Sequence, residues 1–149
     1  MKDSYEQIKV GEVITGSEME IDQDKIAEFA EITLDYNPLH LDDKFMESTS
    51  FGKTKYDGII GHGLLNFGLI TRMMTDWLWP RGGIHRRLQT KHLKPVYPGD
   101  TLTPKATVFK KTDSRDSRWV LFEIELIKQD GERVVEGEAM AEFPGKQDK

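Results

Sequence analysis

The chain contains no cysteine among its 149 residues, which excludes disulfide bonds and thiolate metal ligands. It has no run of about 18 apolar residues, so no membrane-spanning helix is predicted. Its polar beginning, MKDSYEQIKVGE, lacks the apolar segment of a signal peptide. Positive charge is also scarce, because the formal net charge is −5 and nucleic-acid binding needs a basic surface. These absences predict a soluble, cytoplasmic protein whose partner is neither a membrane nor a nucleic acid.

The residues that are present suit one globular domain. Hydrophobic residues make up 37% of the chain and charged residues 32%, enough for one packed core under a well-solvated surface. No repeat and no low-complexity linker divides the sequence. We therefore predict a single domain over residues 1–149, with a frayed tail, PGKQDK, from about residue 144.

Helices are predicted mainly in the first half of the chain. Asp22 can cap a helix from about Gln23 to Thr33, with apolar or small residues at helical spacing on one face: Ile26, Ala27, Phe29, Ala30 and Thr33. Pro38 disfavours a helical conformation at the preceding residue, so LDYNPLHLD at 34–42 is predicted to be a loop, followed by a short helix to about Ser48. The most apolar segment, Gly58 to Leu78, predicts a buried helix.

Strands are predicted at both ends of this helical region. Val13 to Ile21 alternates loosely and predicts a first strand, with its Val13, Thr15, Ser17, Met19 and Ile21 side chains on one face. Four longer strands are predicted later in the chain: Arg87–Leu93, Thr101–Lys110, Trp119–Lys128 and Val134–Phe143. Asp130-Gly131 is a hairpin signal between the last two. The fold class is therefore α+β, a curved antiparallel sheet wrapped around a central apolar helix.

Three blocks of this sequence resemble the MaoC-like family of (R)-specific enoyl-thioester hydratases and dehydratases, which have a hot dog fold. They are DYNPLHLDDKFMESTSFG at 35–52, YDGIIGHGLL at 56–65 and KHLKPVYPGDTLT at 91–103. The family's hydratase motif, Asp-x-Asn-Pro-aliphatic-His, matches residues 35–40. The resemblance extends over roughly residues 8–143 and implies that Asp35 and His40 flank the double bond of the substrate.

The same resemblance implies the remaining parts of the site. His62 and Gly63 open the central helix, and Gly63 supplies a backbone N–H to the thioester carbonyl. By its spacing from His62, Thr71 stands where the family has a serine. The resemblance implies no metal and no redox cofactor, and coenzyme A enters only as part of an acyl-CoA substrate, with acyl carrier protein as the other carrier. One further departure is Leu34, where many members have glycine.

The residues themselves fit the chemistry of hydration. Water must lose a proton as it attacks the β-carbon, the α-carbon must gain one, and charge on the thioester oxygen must be stabilised. Asp35 and His40 can serve the first two needs, and either can be the acid or the base. The N–H of Gly63 at a helix start serves the third. Asn37 is expected to orient the loop, and the flanking leucines are expected to bury it.

Purely structural roles are also open to the same residues. An acid and a histidine five residues apart in a loop are often only a cap and a surface side chain. His62 can be a helix-start histidine bonded to backbone, and Thr71 can bond the carbonyl one turn back. Met73 and Met74 are expected to fill the core.

Basic residues gather in an otherwise acidic chain between positions 81 and 94. They are Arg81, Arg86, Arg87, Lys91 and Lys94, with His85 and His92 among them. Arg86, Arg87 and Lys91 are candidates for binding the phosphates of coenzyme A, or the cluster could face an acidic carrier protein. A solvated strand with alternating charges would give the same pattern.

Three further functions remain open from the sequence. His40 and Asp42 resemble half of a two-histidine, one-carboxylate iron site, with His85 or His92 as the missing ligand. A hot dog thioesterase would use its water to attack the thioester carbonyl. A non-catalytic subunit of the same fold would only bind the acyl thioester.

The acyl chain and the assembly are less closely defined by the sequence. Trp77, Trp79 and Pro80, near the end of the central helix, could cap or line the acyl pocket. Hot dog domains of this family pair through their sheets, so we expect a homodimer or a higher assembly, for which an exposed sheet edge gives a physical reason.

Overall fold

The computed structural model describes residues 4–146, which form one antiparallel sheet and four α-helices. The strands are β1 (Val13–Thr15), β2 (Met19–Ile21), β3 (Ile84–His92), β4 (Asp100–Asp113), β5 (Ser117–Lys128) and β6 (Arg133–Pro144). Their order across the sheet is β1-β4-β5-β6-β3, and β2 also pairs with β4. The helices are α1 (Ser4–Gln7), α2 (Gln23–Thr33), α3 (Asp43–Ser48) and α4 (Gly63–Leu78). The predicted curved sheet around a central helix is confirmed.

The four long strands form because their side chains alternate between core and solvent. In β5 the predicted inner face is fully buried: Val120, Phe122, Ile124 and Leu126. The predicted Asp130-Gly131 turn joins β5 to β6, with Gly131 at a φ of 87° that favours glycine. An unpaired residue in each of β3, β4 and β6 interrupts the regular pairing. Such bulges bend strands, which fits a sheet that curls over α4.

The first predicted strand was wrong in one respect, because residues 13–21 form two short strands. Ile14 and Ile21 are the buried residues, whereas Val13 is 59% exposed, so the alternation changes phase between β1 and β2. Gly16 lies at the break and approaches α4 closely. A Cβ built there would meet Met73 Cβ at 2.8 Å.

Helix α2 has the predicted bounds. The Asp22 carboxylate accepts the N–H of Lys25 at 2.8 Å, which satisfies one of the unpaired donors of the first turn. Its buried face is narrower than predicted, since only Ile26 and Ala30 are buried. The helix ends at Leu34, which adopts the left-handed conformation with φ of 60° and ψ of 24°.

The central helix α4 begins five residues later than predicted. Residues 58–62 are not helical because their backbone bonds elsewhere: Ile60 N–H donates to Leu39 O at 3.1 Å and Gly61 N–H to Val96 O at 2.7 Å. Met73 and Met74 lie in the core, as predicted. No helix within residues 4–146 is long and apolar enough to cross a membrane.

The ends of the sheet bear on the predicted tail and on assembly. Pro144 is the last residue of β6, and its carbonyl accepts a hydrogen bond from Arg118 Nε at 2.7 Å. The predicted tail therefore begins at the last residue of a strand, and its residues 147–149 lie outside the described part of the chain. On the opposite side, β3 pairs only with β6 and leaves its other edge open within the described sheet.

Candidate active site

The histidine of the loop is held by a turn and a backbone carbonyl. Pro38–His40 forms one 3-10 turn, and the Asn37 side chain accepts the N–H of Leu39 at 3.2 Å. This contact supports the orienting role predicted for Asn37. His40 is 8% exposed, and its Nδ1 lies 2.6 Å from Ile60 O. Because a carbonyl only accepts, Nδ1 carries the proton and Nε2 of the neutral ring is left with a lone pair.

The electrostatic surroundings favour a neutral His40. Burial lowers its pKa below the ordinary value, and the neighbouring His62 acts in the same direction. The bond to Ile60 O and the charge of Asp35 act in the opposite direction, without reversing the shift. At neutral pH the ring therefore offers Nε2 as a proton acceptor, which is the state a general base needs.

His62 ties the loop to the start of α4. It is the N-cap residue of α4, is 1% exposed, and makes no capping hydrogen bond with its side chain. Its ring stacks on His40 at 3.8 Å between centroids and packs against Phe29 at 4.9 Å. Its Nε2 donates to the backbone carbonyl of Asp35 at 3.2 Å. The histidine bonded to backbone, expected as the structural role, is observed, and it contacts both residues of the predicted pair.

Asp35 is brought close to both imidazoles although it is exposed. Ligand atoms of Asp35, His40 and His62 all lie within 4.8 Å of one another. Asp35 Oδ1 also lies 3.4 Å from the N–H of Asn37, as an acceptor. The expectation that leucines bury this loop was wrong, because Leu34 is 73% exposed and Leu41 37%. Within residues 34–42 only His40 is buried.

Gly63 is the first residue of α4 and borders a groove. Its N–H precedes the first helical hydrogen bond, and no acceptor among the described residues bonds it. A Cβ at this position would meet His92 Nε2 at 2.7 Å, so the imidazole of His92 lies directly against the glycine. The groove beside them measures about 400 Å³ and is also lined by His40 and Asn66.

Several predicted residues lie away from this groove. Thr71 donates to Phe67 O at 3.1 Å, one turn back, and borders a separate small groove, so its structural role is the one observed. Trp77 packs edge-on against Phe122 at 5.7 Å, and Trp79 is 78% exposed. These tryptophans do not line the groove beside Gly63, from which α4 separates them by about 20 Å, and their place in an acyl pocket stays a prediction.

The basic residues of β3 are paired with acids on β6. Arg86 Nε lies 2.7 Å from Glu142 Oε2, and Arg87 lies 3.8 Å from Glu138. These pairs favour a solvated strand with alternating charges. Lys91 lines a groove on the outer face of the sheet among glutamates. Binding of coenzyme A phosphates by Arg86, Arg87 and Lys91 stays a prediction.

The iron site considered from the sequence is not assembled as predicted. The Asp42 carboxylate accepts the N–H of Phe45 at 3.0 Å and caps α3. Within residues 4–146, the group of possible ligands is Asp35, His40 and His62, without Asp42, His85 or His92. The two stacked rings are inclined by only 25°. Their in-plane lone pairs therefore do not converge on one ion, which favours a hydrogen-bonding site.

Asn66 is a site residue that sequence reasoning missed. It is 4% exposed and lies one turn into α4, on the groove. Its Oδ1 is buried and has no hydrogen-bond partner among the described residues, and the same holds for His62 Nδ1. The available signal was an amide within the most apolar segment of the chain, where a helix buried on nearly all sides would ordinarily carry an aliphatic side chain.

This arrangement is that of a hot dog-fold protein with an acid and two histidines gathered at the start of its central helix. The family model of the MaoC like domain matches residues 6–129. The chain therefore belongs to the MaoC-like domain family, as the resemblance predicted.

Curated relatives and solved structures are similar to this chain over most of its length and most of theirs. The (R)-specific enoyl-CoA hydratase of Rhodospirillum rubrum is 30% identical over 142 residues, 95% of this chain and 92% of that protein. The 3-hydroxybutyryl-CoA dehydratase of Methylorubrum extorquens is 30% identical over 146 residues, 97% and 86% of the two chains. The R-hydratase PhaJ1 of Pseudomonas aeruginosa superposes with a TM-score of 0.79 at 27% identity, covering 95% and 86%. A monoamine oxidase regulatory protein from Archaeoglobus gives 0.82 at 28%, covering 96% and 95%.

Proposed function

We propose that this protein is an (R)-specific enoyl-thioester hydratase, or 3-hydroxyacyl-thioester dehydratase, that acts through Asp35, His40 and the N–H of Gly63. The observation that carries the proposal is the approach of Asp35 and His40 to each other and to His62, the residue before Gly63, whose N–H has no acceptor among the described residues. The relatives named as hydratases and dehydratases support the same reaction class.

The proposed reaction uses each group for one need. Asp35 and His40 Nε2 hold a water molecule, and one of them takes its proton as the oxygen attacks the β-carbon. The double-bond electrons move toward the thioester oxygen, where the Gly63 N–H and the positive end of α4 stabilise the charge. The pair then returns the proton to the α-carbon, so one water is added in total. The reverse sequence removes water from a 3-hydroxyacyl thioester.

His62 acts in this scheme by positioning. Its ring fixes the plane of His40 by stacking, and its Nε2–H fixes the backbone of Asp35. Because both contacts come from the residue next to Gly63, the acid, the imidazole and the carbonyl-binding donor share one support. This shared support offsets the exposure of the Asp35 loop.

The test is the loss of enoyl-thioester ultraviolet absorbance when the protein is mixed with crotonyl-coenzyme A. We expect activity in the wild type and a loss of about 100- to 10,000-fold in Asp35→Asn and in His40→Ala. Asp43→Asn is the matched control, because Asp43 is exposed and lies in the first turn of α3. An active Asp35→Asn variant would refute the proposed pair, and chiral analysis of the product tests the (R) configuration.

The same assay separates a hydratase from a thioesterase and from a binding subunit. A thioesterase would release free coenzyme A, which a thiol reagent detects and a hydratase does not produce. A binding or regulatory subunit would turn over neither bond. The binding-subunit alternative is tested because one similar solved structure is named as a regulatory protein. A binding module, however, has no need of both Asp35 and His40.

A further inference from the structure

The buried amide of Asn66 has no function within the fold that the structure accounts for. Asn66 lies on the second turn of α4, where its neighbours Leu69 and Ile70 are buried core residues. A buried polar atom without a partner costs roughly 1–3 kcal/mol. An apolar residue of similar volume would avoid that cost, so the amide is best explained by a ligand that bonds it.

The position of Asn66 indicates which part of a ligand it would meet. It borders the same groove as His40 and Gly63, and it is buried while Gly63 is only half-buried. The rise of α4 between Gly63 and Asn66 is roughly 4.5 Å. An acyl chain spans roughly 5 Å from its carbonyl carbon to an atom attached to its γ-carbon, at about 1.5 Å per bond. A thioester held by the Gly63 N–H would therefore bring its γ-substituent near Asn66.

The chemistry of the unpartnered atom defines the substituent. Asn66 Oδ1 is an enclosed acceptor, so a turn of the amide toward the groove would let it bond an O–H or N–H donor, and it would repel a carboxylate. The groove has other polar groups at Thr54, Tyr56 and His92, beside the apolar side chains of Ile60, Leu93 and Val96. A plain alkyl chain would leave these groups without partners.

We infer that Asn66 is a specificity residue of this site and that the acyl group it accepts is short and carries a hydroxyl or another hydrogen-bond donor on its γ-carbon. The inference rests on the proposed function and deepens it. It assigns the amide to the acyl group and not to the catalytic water, which Asp35 and His40 hold.

Two thioesters of equal size test the inference: 4-hydroxybut-2-enoyl-CoA and pent-2-enoyl-CoA, which differ by a hydroxyl in place of a methyl. For the wild type we expect kcat/KM to be higher for the hydroxylated substrate by at least about tenfold. Asn66→Leu, which is nearly isosteric and apolar, should abolish or reverse this preference. Thr75→Val on the exposed side of α4 is the control and should keep it.

The possible outcomes separate the inference from the proposed function. Equal turnover of both thioesters by the wild type would overturn the inference and leave the hydratase standing. An equal loss for both in Asn66→Leu would also overturn it, because the amide would then bind the shared pantetheine arm or water. Turnover of neither thioester by the wild type would overturn the proposed function and the inference with it. A thermal unfolding scan of Asn66→Leu establishes whether the variant is folded.

Discussion

At the scale of single residues, His40 links the fold to a measurable pH dependence. Burial lowers its pKa from the ordinary 6.5, so the folded protein keeps the ring neutral at pH values where an unfolded chain is protonated. If neutral His40 is the working form, the acidic limb of kcat/KM has its midpoint below 6.5. A pH–rate profile of crotonyl-CoA hydration measures this midpoint, since kcat/KM reports groups of the free enzyme.

The sign of the accompanying stability effect follows from the same shift. Below pH 6.5 the unfolded chain binds more protons at this position than the folded one, so the free energy of unfolding falls as pH decreases toward the lowered pKa. Burial also lowers the pKa of His85, so a change of stability with pH does not by itself report on His40. His85→Gln therefore serves as the control for the rate profile and should leave the limb in place. A midpoint at or above 6.5 would contradict the prediction.

Leu34 is a second residue with a specific consequence. It is the one non-glycine residue with positive φ in the described chain, and the left-handed conformation costs a side-chain-bearing residue about 1–2 kcal/mol. Leu34→Gly should raise the free energy of unfolding by about 1 kcal/mol and the melting temperature by about 2–4 °C. Leu64→Gly, in the regular helix α4 and similarly exposed, should lower it by about 1 kcal/mol. Thermal unfolding measures both variants, and a lower free energy of unfolding in both would refute backbone strain at Leu34.

Sequence reasoning named part of the candidate site and missed other residues that the structure places beside it. Asp35, His40 and Gly63 were predictable because their motifs are continuous in the chain. The stacking of His62 on His40 was not, because it depends on how the loop folds back against the start of α4. The unpartnered oxygen of Asn66 depends equally on tertiary packing.

At the scale of elements, the glycines beside and within α4 have opposite roles. Gly16 lies in the break between β1 and β2 and packs against Met73 and Pro104. A Cβ on Gly16 would lie 2.8 Å from an atom of each side chain. Gly68 in α4 has nothing within 4 Å of the same position. Gly16→Ala should therefore lower the free energy of unfolding by about 1–3 kcal/mol, whereas Gly68→Ala should raise it by about 0.5–1 kcal/mol. Denaturant unfolding measures both, and an unchanged Gly16→Ala variant would show that the contact relaxes freely.

The bounds of the strands and of α4 differ in how closely they follow the hydrophobic pattern. The predicted strands match β4, β5 and β6 to within a few residues at their ends, and alternation predicted β5 and β6 because each buries one face in the core. The prediction of one continuous first strand was wrong because a short break at Gly16 shifts the phase of alternation by one residue. The predicted start of α4 was wrong because an apolar run does not distinguish a helix from a non-helical segment. The N–H groups of that segment bond the carbonyls of Leu39 and Val96.

At the scale of the whole molecule, the open edge of β3 bears on assembly. Every second residue of this nine-residue strand directs its backbone N–H and C=O to a side that no strand within the described sheet pairs. Unpaired strand edges readily add another strand, so we expect a homodimer. Light scattering should give about twice the chain mass of 17.1 kDa. A mass equal to a single chain at micromolar concentration would contradict this expectation.

The short segment from Ile60 to Gly63 has a further consequence. Ile60 O orients His40, and three residues later Gly63 presents the N–H proposed to bind the thioester carbonyl. A segment of four consecutive residues therefore joins the carbonyl that bonds His40, a proposed proton-transfer group, to the N–H proposed to stabilise negative charge. Loosening of the outer loops by heat would reduce the fraction of competent molecules. It would not alter the carbon attacked in those that remain, because conjugation with the carbonyl makes the β-carbon the electrophile and the Ile60–Gly63 segment still spaces the two proposed groups.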